Sequence, residues 1–475
     1  MTAPQQLSTL DTAFLEVEQA QENAHMHIGG ALVFDALPDG GAPSLEQLQE
    51  RIGERLGLLP LFSKRLSEPQ TSPVRWLTWE PMPDFDPASH VRRATLPAPG
   101  GRAELEEWLG NFWSHRLDRR RPLWSMTLVD GLEDGGWAIA TKTHHCLVDG
   151  VGAVDITFLV LDALGDAVAA EDSNGVDAEP VGSRHFLHPD VLKRNVRAVT
   201  QTVAHPRDAI EKARAAIDLL AGDDLSGSAR TSLAGELTAT RCYRTARISI
   251  ADIRRVRQTH GGTLNDVVLA VCSGALRDLF LARGEEPPAG FRAQVPVNIR
   301  RDDHAHDLGN EVTNMLVDLP IEEPDPLTRL QRVIEREAEL KAGSQQAGSK
   351  AWLDLADIGP PGIGGIVARI LFGNSKMFGV TITNVPGPQL ELSAFGATMR
   401  DALPFVPLFA EHTLGIAIFS YNGSLTFGIC ADRHNVPDAD VVAGGIERSF
   451  AELHPERHRR RAHRPATGDH APAAV

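Results

Sequence analysis

The sequence predicts an α/β protein built as two related halves. Three observations lead there. Short strand-forming runs alternate with stretches of helical periodicity along both halves, the pattern of packed α/β layers. A polar stretch bearing Pro and Gly, from about residue 171 to 234, separates the halves as a linker or crossover. And 475 residues with 42% hydrophobic content suffice to bury two or three cores.

Residues 27–36 and 74–80 read as strands, and 44–57 and 103–120 as helices. The second helix carries Leu105, Leu109, Phe112 and Trp113 at helical spacing. Runs 123–130 and 136–143 flank the turn residues Glu133-Asp134-Gly135-Gly136 and read as a hairpin, with 151–164 following as a helix. In the crossover, 189–221 is helical in pattern but interrupted by Pro206, and 222–234 is rich in Gly, Ser and Asp. The second half opens with a strand at 243–249 and helices at 250–259 and 263–283. Thr263-x-Asn265-Asp266 supplies an N-terminal cap for the latter. Strands at 291–298, 311–319, 378–384, 413–420 and 424–431 then alternate with helices at 326–343, 362–372 and 438–453. The expected division is a first domain at 1–170, a crossover at 171–234, a second domain at 235–453 and a disordered Arg-rich tail at 454–475.

Composition excludes several classes of function. A net charge of −16 and a pI near 5.6 argue against nucleic acid as a partner. Cys146, Cys242, Cys272 and Cys430 are scattered, with no C-x-x-C pair and no secretion signal, so the reading is a reducing, cytoplasmic setting. No run approaches the ~20 apolar residues of a membrane span. Any dealings with lipid are expected to be peripheral.

The densest chemical signal is Thr143-His144-His145-Cys146-Leu147-Val148-Asp149-Gly150, or H-H-x-x-x-D-G. It presents a histidine at the end of the second hairpin strand. A neutral imidazole there can accept a proton from a hydroxyl or thiol. Asp149 lies too close in sequence to be a distant triad partner. It braces the loop, orients the ring or caps turn amides, and Gly150 permits a tight turn. Cys146 invites a nucleophile reading. Adjacent residues on an extended strand end point to opposite sides, which turns its sulfur away from His145.

This signature resembles that of the coenzyme-A-dependent acyltransferase superfamily, and further stretches resemble its wax ester synthase/diacylglycerol acyltransferase family. They are Leu7-Ser8-Thr9-Leu10-Asp11-Thr12-Ala13-Phe14-Leu15 with Met26-His27-Ile28-Gly29, then Pro122-Leu123-Trp124 and Asn265-Asp266. Thr383-Asn384-Val385-Pro386-Gly387-Pro388, Ala431-Asp432-Arg433 and Val436-Pro437-Asp438 complete the set. They run in the family's order from about residue 7 to about 450. Thr9 stands where the family usually has Pro, Asn298 where Ser is common and Glu411 where Gly is usual. The resemblance implies two chloramphenicol-acetyltransferase-like α/β domains with mixed sheets. It implies transfer of a long acyl chain from acyl-CoA, a co-substrate and not a resident cofactor, to diacylglycerol or a fatty alcohol. His145 would be the general base and His144 a supporting residue. A carrier-protein-fed acyltransferase of the same superfamily, or a weakly active lipid-binding member at a membrane or lipid droplet, is the alternative. Oligomeric state is not encoded in any of these motifs.

The remaining candidates have ordinary readings beside the functional ones. Asn265 and Asp266 suit a helix cap, or support for the tetrahedral intermediate. Pro122, Leu123 and Trp124 suit packing and pocket wall, with Trp124 bordering an acyl tunnel. Asp302, Asp303, His304, His306 and Asp307 lack the spacing that rigid metal sites use and read as a solvated loop, so no metal is expected. Ile363, Ile366, Val367, Ile370 and Leu371 fit a core-facing helix or, alternatively, a membrane-facing one. The basic residues of the crossover and the tail (Arg457, Arg459, Arg460, Arg461, Arg464) could face anionic lipid or the coenzyme's phosphates, although a solvated face is the usual role.

Overall fold

The computed structural model describes residues 5–7, 9–67, 77–147, 156–162, 231–298, 312–339 and 377–454. Two six-stranded mixed sheets carry the architecture. The first is ordered β12-β13-β2-β7-β6-β5, with β2 at His27–Phe34, β5 at Val91–Thr95, β6 at Trp124–Asp130, β7 at Trp137–His144, β12 at Ser393–Ala394 and β13 at Ala397–Phe405. All its neighbours are antiparallel except β5 with β6. The second is ordered β10-β9-β11-β14-β15-β8, with β8 at Arg241–Ser249, β9 at Phe291–Asn298, β10 at Val312–Leu319, β11 at Val380–Pro386, β14 at Leu414–Tyr421 and β15 at Ser424–Asp432. Here β11 runs parallel to both β9 and β14. A small third sheet joins β1 (Gln5–Gln6), β4 (Thr78–Pro81) and β3 (Lys64–Leu66).

The expected hairpin is β6–β7, with Trp124 opposite Thr143 and Val129 opposite Ala138. Its strands are buried along nearly their whole length, so both faces of the sheet are covered. On one side lies a core of Phe34, Met126, Leu128, Trp137 and Ile139 with Leu48 and Ile52 of α2 (Leu45–Arg55). On the other, α3 (Arg102–Ser114) contributes Leu105, Leu109 and Trp113, which pack with Tyr243, Phe405 and Cys430. This second core lies between the two sheets. Gly110 makes the close approach possible, because a Cβ there would stand 2.9 Å from the carbonyl oxygen of Arg241. Glu106 of α3 is buried and accepts from the amide and hydroxyl of Thr245 at 2.9 and 2.7 Å, a polar link to β8. The second domain's own core gathers α4 (Ile250–His260), α5 (Leu264–Ala282), α6 (326–339) and α7 (Ala439–Leu453) around the other sheet.

Several expectations are corrected. The helix expected over 103–120 stops at Ser114, whose hydroxyl turns back to the carbonyl of Gly110. Lys142 then takes the carbonyls of Phe112 and His115 at 2.8 and 2.7 Å, ending the helix with a buried ammonium. Within the helix expected at 151–164, residues 156–160 form a 3₁₀ turn. Among the described residues, six α-helices and strands were not anticipated: α1 (Thr9–Ala20), β1, β3, β5, β12 and β13. The last matters most. It comes from the chain's second half yet pairs with β2 in the first sheet, so a division into 1–170 and 235–453 does not partition the sheets. The crossover at 171–230, the apolar run at 362–372, the acidic and histidine-bearing loop at 302–307 and the tail from 455 lie outside the described residues.

Candidate active site

The site is built where β7 ends. After His144 the chain enters a 3₁₀ turn, His145–Leu147. Two main-chain bonds hold it. His144 N–H donates to the carbonyl of Leu123 at 2.9 Å, and His145 N–H donates to the carbonyl of Met26 at 2.8 Å. Register explains both partners, because His144 lies opposite His27 on β2, and Thr143 lies opposite Trp124 on β6. The ring of His145 stacks on Phe14 of α1, centroids 4.0 Å apart. Burial pushes its pKa down to about 4, its own main-chain carbonyl partly opposing that shift. The imidazole is therefore neutral over the physiological range.

His144 has a separate task. Its Nδ1 accepts the N–H of Cys146 at 3.2 Å, so the ring's proton belongs on Nε2. That Nε2 faces Glu18 Oε2 at 3.5 Å. Glu18, 1% exposed, is the residue of this cluster that sequence reasoning missed. Arg119 grips it through Nε and Nη2 at 2.9 and 2.5 Å, and Arg116 reaches it at 3.2 Å. His27 stands 3.7 Å away. Although burial opposes it, these partners, His144 foremost, hold the carboxyl well below the usual carboxylate range. His144, His27 and His25 are all shifted downward by burial, His25 to about 4. One buried anion thus lies behind a row of neutral imidazoles.

Cys146 is a buried, protonated thiol. It belongs to a 3₁₀ turn, not to an extended strand end, so the argument from strand alternation does not apply. Burial in the first-domain core does the work instead, pushing the thiol well above its ordinary value.

The other sequence-predicted residues fall in different places. Leu123 contributes the carbonyl that holds His144, and its side chain is fully buried. Trp124 is 1% exposed, donates from its indole to Phe62 O at 2.7 Å and packs on His90, with Phe62 and Phe85 nearby. It is core packing. Pro122 is buried beside them. Asp266 closes a capping box with Thr263, accepting its N–H at 2.6 Å while Thr263 Oγ1 accepts Asp266 N–H at 3.2 Å. Asn265 donates to Glu337 at 3.1 Å. Asp266 takes part in the helix cap and Asn265 does not, and none of these bonds reaches the histidine turn. Asp149 and Gly150 lie outside the described residues. Among the described residues no group of His, Cys, Asp and Glu is arranged to hold a metal.

A family model described as the wax ester synthase/diacylglycerol acyltransferase catalytic domain matches residues 7–268, and one described as the WS/DGAT C-terminal domain matches 308–454. A probable diacylglycerol O-acyltransferase of Mycobacterium tuberculosis is 32% identical, covering 94% of this chain and 95% of its own. The solved wax ester synthase/diacylglycerol acyltransferase from Marinobacter aquaeolei VT8 aligns with a TM-score of 0.67 at 24% identity, over 94% of this chain and 98% of that one. A starter condensation domain of rhizomide synthetase, solved with C8-CoA, aligns with a TM-score of 0.56 at 15% identity, over 95% and 94%. At those identities the structural likeness speaks for the fold, the two-domain acyltransferase architecture expected from the sequence. With two family models spanning most of its length in order, this chain belongs to the wax ester synthase/diacylglycerol acyltransferase family and is an acyltransferase.

Proposed function

We propose that this enzyme transfers a long acyl chain from acyl-CoA to the hydroxyl of diacylglycerol, and to fatty alcohols as a second acceptor class, with His145 as general base. The observation that carries the reading is the neutral imidazole of His145. It is held at the start of its turn by the main-chain bonds of His144 and His145 and stacked on Phe14. Relatives named as diacylglycerol O-acyltransferases support the acceptor, and the neighbour solved with C8-CoA supports the donor.

The neutral ring takes the acceptor's hydroxyl proton as the oxygen attacks the thioester carbonyl. The carbon–sulfur bond then breaks, and the imidazolium returns the proton to the leaving coenzyme thiolate. Both substrates are bound together and no acyl-enzyme forms, in keeping with the protonated, buried thiol of Cys146. Proton transfer by a positioned base contributes ~10²–10⁴ in rate, and alignment of the two substrates up to ~7–11 kcal/mol of the barrier. Asp149 and Gly150 shape the loop in this reading, and Asn265 and Asp266 stabilise α5. No helix among the described residues is long and apolar enough to cross a membrane, which is compatible with lipid contact at a membrane or droplet surface.

The test is His145→Ala with an acyl-CoA and diacylglycerol assay that reads released thiol. The variant folds as the parent and loses turnover by at least about a hundredfold. In the parent, kcat/KM shows no inflection through the imidazole's ordinary value of about 6.5, because burial keeps the ring neutral well below it. Near-parental turnover by a folded His145→Ala protein overturns the assignment.

A further inference from the structure

Ala431-Asp432-Arg433, one of the stretches singled out in the sequence, takes no part in the chemistry above. Yet Asp432 is fully buried at the end of β15. Its Oδ1 accepts the amides of His434 and Asn435 at 3.1 Å each and the Asn435 side chain at 2.9 Å. Its Oδ2 accepts the amide and hydroxyl of Thr238 at 2.6 and 3.0 Å and faces Arg241 Nη1 at 3.4 Å. Arg241, the first residue of β8, is 2% exposed. Nη1 also donates to Thr238 O at 2.6 Å, while Nη2 crosses to the first domain and donates to the carbonyl of Asn23. Asn23 answers from its side chain, donating to Leu237 O at 2.9 Å. Three residues on, Met26 offers the carbonyl that receives His145 N–H.

We propose that Arg241 is a positioning residue for acyl transfer: anchored by Asp432 in the second domain, it fixes the Asn23–Met26 segment against which the main chain of the base is held. The proposal rests on the reading of His145 as that base. Two physical arguments favour positioning over mere attachment of one domain to the other. A buried ion pair is a poor source of stability, because desolvating both charges offsets most of their attraction. The planar guanidinium fork, by contrast, fixes direction, since its donors reach Thr238, Asp432 and Asn23 at once. The link between Glu106 and Thr245 is the contrasting case. It too joins the domains while buried, but it touches neither the 23–26 segment nor the histidine turn.

The experiment compares Arg241→Met, Arg241→Lys, Glu106→Gln and His145→Ala in the full-length enzyme. It reads kcat, KM for acyl-CoA, thermal midpoint, and hydrogen–deuterium exchange of peptides covering 23–27 and 144–147. A misplacement of about 1 Å can cost a hundredfold in rate. Arg241→Met therefore lowers kcat by at least about tenfold, with KM within about twofold. Exchange quickens in both peptides, and Arg241→Lys recovers part of the loss. Glu106→Gln lowers the thermal midpoint and leaves kcat and exchange in those peptides at parental values. If Arg241→Met lowers the thermal midpoint alone, or if Glu106→Gln reproduces its kcat and exchange effects, the proposal falls. The exchange readout needs no assumption about the base. Should His145→Ala keep its turnover while Arg241→Met still frees both peptides and slows kcat, the base assignment fails and the positioning role stands.

Discussion

Acid should unfold this protein steeply, and the cause can be assigned to particular rings. Burial pushes His25, His90 and His145 down to about 4 and His412 down to about 3, against 6.5 in an unfolded chain. The sign follows from proton counting. Between 6.5 and about 4 the unfolded chain holds protons on these residues and the native protein does not, so stability is full above 6.5 and is lost as pH falls through that window. By about pH 5 each ring costs roughly 2 kcal/mol, and the four together about 8 kcal/mol. That is comparable to the whole net stability of a typical domain, about 5–15 kcal/mol. The depressed carboxyl of Glu18 acts in the same direction at still lower pH. Urea unfolding followed by tryptophan fluorescence from about pH 8 to about pH 5 should show a midpoint nearly constant at the upper end and falling sharply below about 6.5. His412→Phe is the internal control. The ring of His412 stacks on Phe378 at 3.9 Å, and its Nε2 has no hydrogen-bond partner among the described residues. A phenyl ring keeps the stack and removes one titrating group, so the acid limb flattens by about one proton. A midpoint that does not move between about pH 6.5 and 5, or a His412→Phe curve parallel to the parent's, refutes the reasoning.

Other outcomes follow from the same geometry. Cys146→Ala or Cys146→Ser should keep most of the activity, and mass spectrometry of the enzyme quenched during turnover should find no acyl group on residue 146; a trapped acyl-cysteine would refute direct transfer. Arg119→Met should cost about 2 kcal/mol in chemical denaturation, between a surface and a buried pair, because Glu18 is buried while Arg119 is 32% exposed and Arg116 still reaches Glu18; a loss below about 1 kcal/mol would mean the Glu18 cluster is no more than a surface pair. A chain ending at residue 230 should not fold. Without β13, β2 becomes an open edge and the first core loses Met399 and Ala402, so a soluble, cooperatively melting fragment would contradict the strand exchange.

What the sequence disclosed depended on how local the cause was. The β6–β7 hairpin and the histidine at its end are written in adjacent residues, with turn chemistry between two apolar runs, and so is the Thr263–Asp266 cap. Glu18 was hidden because its segment, Glu16-Val17-Glu18-Gln19, looks like a solvated helix face. A signal was present nonetheless: Asp11, Leu15 and Glu18 recur at helical spacing, and all three are buried. β13 was hidden for a different reason. Its register shifts between Met399 and Asp401, and such a bulge breaks the alternation that marks a strand. Trp124, read as packing and pocket wall beside an acyl tunnel, donates its indole N–H to Phe62 and packs its face on His90.

The strand exchange and the Glu18 cluster point to one principle of construction. A carboxylate at the ring of a base orients it but also favours its imidazolium form. Here the charge is displaced by one residue. Glu18 faces His144, whose Nδ1 only accepts a hydrogen bond from the amide of Cys146. The ring of His145 meets Phe14 instead. Orientation then has to come through the main chain, from Met26 and Leu123, and those carbonyls are fixed by strands and loops drawn from both halves of the sequence. The geometry of one imidazole is in this way a property of the whole fold, because the local heptapeptide that marks it supplies the ring but not the frame that aims it.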